Sequence, residues 1–142
     1  MSEKKYRFLK HTADAKFQAF GKTLEEAFGN AALATASLMW EWETVDHKVK
    51  YTVDVEGKDL KQLLVVFLEE ILFLWEVQDF LLGKVEDLVI HKEEEAYTLH
   101  AVFRGDINKG IHETFGDVKA ITYNEMEILE KNGFRVQVVV DI

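Results

Sequence analysis

The chain of 142 residues contains no cysteine, which excludes disulfides, thiolate zinc sites and cysteine nucleophiles. It contains no proline, and no Ser/Gly-rich stretch or fixed-period repeat interrupts it. No linker marks a boundary, so 1–142 reads as one domain, within the usual size of about 100 to 200 residues. Positive charge is in deficit: 17 Lys plus Arg against 26 Asp plus Glu give a net charge of −9. That balance argues against a protein held on RNA or DNA mainly by phosphate contacts. It suits a protein that meets a basic partner or a cation. The opening residues are charged, with no apolar run of signal-peptide length. The richest apolar stretch, 60–82, is broken by Glu69, Glu70, Glu76 and Asp79, which argues against a membrane span. The expectation is a soluble, cytoplasmic protein.

Catalytic signatures are missing as well. There is no G-x-x-x-x-G-K-[ST] or G-x-G-x-x-G to cradle a nucleotide, and no H-E-x-x-H. His11, His47, His91, His100 and His112 are scattered, and no Ser or Thr sits in a nucleophile-elbow context. Nothing here argues for a self-contained enzyme.

What is present is a strong secondary-structure pattern, with 48% hydrophobic residues to supply a core. Thr23-Leu24-Glu25-Glu26 is a capping box, in which the Thr hydroxyl accepts from the N3 amide and Glu26 reaches back. Leu24, Ala27, Phe28, Ala31, Ala32, Leu38 and Met39 then keep helical spacing to about residue 40. A second helix starts at Asp59 with Gln62 as its box partner. Its broad apolar face, from Leu60 through Phe67 to Trp75, needs a sheet or another helix to cover it. Segments 16–20, 48–55, 83–92, 96–103, 118–129 and 134–140 read as strands by period-two alternation. Lys131-Asn132-Gly133 has hairpin-turn chemistry. The order is β-α-β-α-β-β-β-β. It predicts an α+β domain: a mostly antiparallel sheet with one wet face and two main helices packed on the other.

Three constellations carry chemistry. His11-Thr12-Ala13-Asp14 lies between a short strand and the next. Asp14 offers carboxylate oxygens to a hard cation, with His11 orienting it or meeting a partner, although an Asp at a strand entrance also caps backbone amides. At the other end Val138-Val139-Val140-Asp141-Ile142 delivers the Asp141 side chain and the Ile142 carboxylate together on an ordered strand. Calcium and magnesium take donors of this type. The third is His112 in a polar loop, with Lys119-Ala120-Ile121-Thr122-Tyr123 opening a strand. Side-chain parity sends Lys119, Ile121 and Tyr123 to one face and Thr122 to the other. A Lys and a Tyr on one face suit an anionic group or a partner surface, or form a cross-strand pair on a wet sheet.

Together these pieces resemble the archease family. The matching residues are His-Thr-Ala-Asp at 11–14, Gly21 with Thr-Leu-Glu-Glu-Ala-Phe at 23–28, and Asp59-Leu through Leu63-Leu64 to Leu68-Glu-Glu-Ile-Leu. Gly105, His112, Val-Lys-Ala-Ile-Thr-Tyr at 118–123 and the closing Val-Asp-Ile complete the set. The resemblance covers essentially the whole chain. Two positions depart from the family pattern: Asn124 stands where the family usually has His, and Ala15-Lys16 where it commonly has Ile-Gly. Asn hydrogen-bonds but takes up no proton near neutral pH.

The resemblance implies an α+β fold and a non-catalytic partner of the RtcB-type RNA ligase, which joins RNA ends in tRNA splicing and RNA repair. It implies promotion of ligase guanylylation and of multiple turnover. It also implies a site for a divalent metal ion (Ca, Mg or Mn) at Asp14, Asp141 and Ile142. His11, His112, Lys119, Thr122 and Tyr123 are the candidates for partner contact or activation. A different class of function is a chaperone-like adaptor of another nucleic-acid-processing protein, drawing on Trp40, Trp42 and Trp75 as a contact surface. A metal-dependent hydrolase lacks a visible base, nucleophile and oxyanion set.

Overall fold

A computed structural model describes residues 4–11 and 13–142. Seven strands and two helices follow one another as β1 (Tyr6–Leu9), β2 (Ala15–Gly21), α1 (Leu24–Ser37), β3 (Val49–Gly57), α2 (Leu60–Gln78), β4 (Phe80–Lys92), β5 (Tyr97–Ile107), β6 (Ala120–Glu130) and β7 (Phe134–Asp141), with a short 3-10 turn at Trp42–Thr44. The short strand ahead of His11 is β1, which the eight-element order leaves out. Its four residues carry too little alternation to stand out from the charged start.

All strand pairings are antiparallel, and the strands divide into two sheets, β1-β2-β7-β6 and β3-β5-β4. The helices lie between them: α1 packs on β2, β7 and β4, and α2 on β6, β3, β4 and β5. The expected single sheet is therefore two, one on each side of the helical layer. This arrangement explains the composition of α1. A helix covered from both sides has no wet stripe, and Ala27, Ala31, Ala32, Ala34 and Ala36 are all fully buried, their small side chains letting two sheets approach. The longer α2 fills the rest of the core with Leu63, Leu64, Phe67, Leu68 and Ile71, and the Phe67 ring meets Phe28 and Phe103. Among the described residues no helix is long and apolar enough to cross a membrane.

Both capping boxes form, with one difference. Thr23 accepts from the Glu26 N–H at 3.1 Å, and Asp59 from the Gln62 N–H at 2.8 Å. The return bonds, however, come from Lys22 N–H to Glu26 and from Lys58 N–H to Gln62, one residue before each cap. The α2 helix ends at Asp79 in the left-handed region (φ 54°). The 131–133 turn is a hairpin loop as expected, with Asn132 at φ 53° and Gly133 at φ 106°. The tryptophans serve the core. Trp40 is buried, donates to the Leu82 carbonyl and packs on Trp75, while Trp42 donates to the Tyr6 hydroxyl.

Candidate functional site

Sheet β1-β2-β7-β6 has one face on the helices. Ala15, Phe17 and Ala19 pair with Val140, Val138 and Val136 on that face, and all pack in or against the core. The alternate residues form the outer face, where a polar ladder crosses all four strands. Arg7 of β1 donates from Nε and Nη2 to Gln18 Oε1 at 2.9 and 2.7 Å. Gln18 of β2 donates to Gln137 Oε1 of β7 at 2.9 Å, and Gln137 donates to the Glu125 carbonyl of β6 at 2.7 Å. Gln18 and Gln137 are buried, so these bonds satisfy amides that water does not reach.

The ladder ends on a bulge. Pairing of β6 with β7 lapses between Thr122 and Glu127, and Glu125 inside that gap has φ 51°. A left-handed residue in a strand is costly for a side chain with a Cβ, and the Gln137 bond holds it in place. The bulge sends the Glu125 carboxylate across β7 to the far strand, where Oε2 meets His11 Nε2 at 2.8 Å and Oε1 accepts from Lys16 Nζ at 3.0 Å. His11 Nδ1 contacts the Asp14 carboxylate. Glu125, and after it Asp14, hold the His11 imidazole above its ordinary 6.5 and favour the imidazolium. Hydrogen bonds from His11 and then Lys16 hold the Glu125 carboxyl below its usual range.

The expected residues separate into three groups. Asp14 directly precedes the Ala15–Val140 pair and Asp141 directly follows it, so strand order brings the two ends of the chain to one end of the β2–β7 ladder. The Asp141 carbonyl accepts from the Lys119 N–H at 2.7 Å, which ties the start of the β6 segment to the same place. Thr122 pairs with Val139 and its hydroxyl donates to the Val139 carbonyl at 2.7 Å, a bracing role. The expected parity of Lys119, Ile121 and Tyr123 does not hold. Ile121 turns into the core, whereas Lys119 precedes the strand, Tyr123 opens the bulge, and both are exposed. His112 stays in the 108–119 connection, where its carbonyl lies 3.5 Å from the Asn108 amide. Among the described residues no hydrogen bond or ion pair joins its ring to the Asp14 end. Thr12 of the His-Thr-Ala-Asp motif lies outside the described residues.

The carboxylates of Asp14 and Asp141 are of the oxygen-donor type that a hard divalent cation takes. Among the described residues no three His, Asp or Glu residues are grouped to hold a metal. Sequence reasoning missed Glu125, Gln18 and Gln137. Asn124-Glu125 in mid-strand was the available signal for the bulge, since Asn is depleted from regular strands.

The sequence pattern of the Archease protein family matches residues 6–142. The chain belongs to the archease family. It is 42% identical over 142 residues to Protein archease of Methanosarcina mazei, covering 98% of this chain and 97% of that one. It is 40% identical over 140 residues to Protein archease of Pyrobaculum neutrophilum, covering 96% and 95%. Protein archease of Danio rerio is 36% identical over 142 residues, covering 98% and 86%. The solution structure of Methanobacterium thermoautotrophicum protein 1598 superposes with a TM-score of 0.85 at 33% identity, covering 97% of this chain and 99% of that one. The archease fold is thus the two-sheet, two-helix arrangement described above, and membership supports an activator or modulator role.

Proposed function

We propose that the protein is a non-catalytic activator of an RtcB-type RNA ligase, promoting ligase guanylylation and multiple turnover in tRNA splicing or RNA repair. Family membership supports the activator role. The finer reading rests on one observation, the β2–β7 register that brings Asp14 and Asp141 to the same end of the ladder. In this reading Asp14, Asp141 and the Ile142 carboxylate hold a divalent ion, Ca, Mg or Mn. Bound there, the ion supplies positive charge for the phosphates of GTP at the ligase site.

The chain's own residues do the positioning. Glu125 and Asp14 share His11, so the carboxylate of Asp14 is oriented before a ligand arrives, and Lys119 anchors the Asp141 main chain. Exposed Tyr123 and Ile142, at 54% and 50%, offer apolar contact near this end for a protein partner. Asn124, where the family usually has His, is exposed and donates its N–H to the Thr122 hydroxyl, so a proton-transfer role there falls away.

The test is a ligation time course with a purified RtcB-type ligase, GTP and RNA in excess over ligase. The protein is expected to carry ligation beyond one turnover, and Asp14→Asn with Asp141→Asn to abolish that gain. An unchanged gain with the double variant would remove the metal-site reading. No gain with the unaltered protein would remove the ligase reading.

A further inference from the structure

The net charge conceals a local reversal. At the Gly21–Phe134 end of the β2–β7 ladder, a cleft of about 1140 Å³ opens between the segment leading into β1, the β2–α1 turn and the β6–β7 hairpin. Lys4, Lys5, Arg7, Lys22, Lys131 and Arg135 line it, six of the chain's 17 Lys plus Arg. Among the described residues lining it, Glu26 is the one acid. The cleft is built by specific contacts. The Phe20 N–H donates to the Lys5 carbonyl at 2.9 Å, which holds the leading segment against β2. Gly133 sits so close to the β2–α1 turn that a Cβ would lie 2.8 Å from the Gly21 carbonyl oxygen, so the hairpin tip closes the floor.

The cations are arranged against apolar surface. Arg135 pairs across the ladders with Phe20 on one side and Leu129 on the other, giving a Phe–Arg–Leu row on the outer face. The Arg7 guanidinium lies 6.0 Å from the centre of the Phe20 ring and is oriented by Gln18. Arg135 donates from Nη2 to Glu127, while its buried Nε has no hydrogen-bond partner. Oriented guanidinium groups and solvent-facing lysines beside a half-buried aromatic ring form a combination that tracks a phosphate backbone.

We propose that this basic cleft binds the phosphate backbone of a single nucleic-acid strand. Six cations spread over three segments of an open cleft suit an extended anion better than a small enclosed ligand. An acidic protein partner is disfavoured by what surrounds the cleft. A folded partner covers about 800 Å² and would set its acids against Glu26, Glu127 and Glu130, of which the last two lie on β6 beside the hairpin. A thin strand keeps its charge on the cations. The cleft and the Asp14 end are separated by the length of β2, about 20 Å at the usual rise, so binding here needs neither the metal nor a ligase.

The test is fluorescence anisotropy with labelled single strands of about twelve nucleotides, oligouridylate in one arm and oligothymidylate in the other, at several salt concentrations. Saturable binding is expected at low salt, with affinity falling by about 0.7 log units per log unit of salt for each phosphate contacted. Lys5→Glu with Lys131→Glu, both exposed, is expected to weaken binding at least tenfold and to flatten the salt slope. Lys48→Glu with Lys58→Glu makes the same charge change away from the cleft and is expected to stay within threefold of the unaltered protein. Equal affinity for both strands assigns the contact to phosphate alone, and preference for the ribose strand adds a 2′-hydroxyl contact; both support the cleft. Three results would overturn it: no saturable binding, equal loss in both double variants, or displacement of the strand by polyglutamate at equal charge concentration.

Discussion

Replacing Gln137 by Leu tests whether the polar ladder fixes the candidate site. The side chain is 6% exposed, accepts from Gln18 and donates to the Glu125 carbonyl. Leucine has similar volume, so cavity formation is small and the lost polar bonds dominate. Two hydrogen bonds are worth about 1 kcal/mol each, and the orphaned Gln18 amide and Glu125 carbonyl add desolvation, giving about 2–4 kcal/mol in all. For a domain of this size that lowers Tm by about 5–15 °C. Thermal unfolding followed by circular dichroism reads the shift. Gln18→Leu and the double variant complete a cycle in which a coupling of about 1–2 kcal/mol is expected. A Tm within about 1 °C of the unaltered protein, or strict additivity, would refute the ladder as the tie between β2, β7 and the bulge.

Glycine positions give a paired prediction. A Cβ on Gly105 would lie 1.8 Å from the Leu81 carbonyl oxygen, and Gly105→Ala should cost about 3 kcal/mol or more by overpacking. On Gly29 of α1 a Cβ meets nothing nearer than 3.8 Å, and Gly29→Ala should stabilise by about 0.5–1 kcal/mol. Urea titration checks both, and equal midpoints for the two variants would contradict the geometry. In the other sheet, Arg104 and then Lys84 hold the Glu86 carboxyl below its usual 4.5. A depressed carboxyl contributes stability that is present above that value and lost as pH falls through the folded-state value. The stability difference between the unaltered protein and Glu86→Gln should therefore shrink as acid is added, read by Tm across the acid range. A constant difference would refute it.

Much of this was legible because it is local. Capping residues, helical spacing and the Asn132-Gly133 turn are written within a few residues of where they act. The two carboxylates were legible as chemistry, but their neighbourhood depended on β2 lying beside β7, a non-local fact. The division into two sheets was hidden for the same reason, although an alanine-rich α1 with no wet stripe was a sign that it is covered from both sides. The Lys119–Tyr123 parity assumes one regular strand, whereas Lys119 lies ahead of β6 and Tyr123 enters the bulge between Thr122 and Glu127. That bulge is held by Gln137 from another strand, so no window around residue 125 contains its cause. The basic cleft was not legible because its six cations come from three separate stretches of a chain with an overall negative charge.

Titration calorimetry with Ca²⁺, Mg²⁺ and Mn²⁺ on the protein, Asp14→Asn, Asp141→Asn and the double variant asks whether the two ends of the chain make one site. One shared site predicts saturable binding of at least one ion, lost to the same extent in each single variant as in the double. Single losses that simply add, or no saturable binding of any of the three ions, would contradict it.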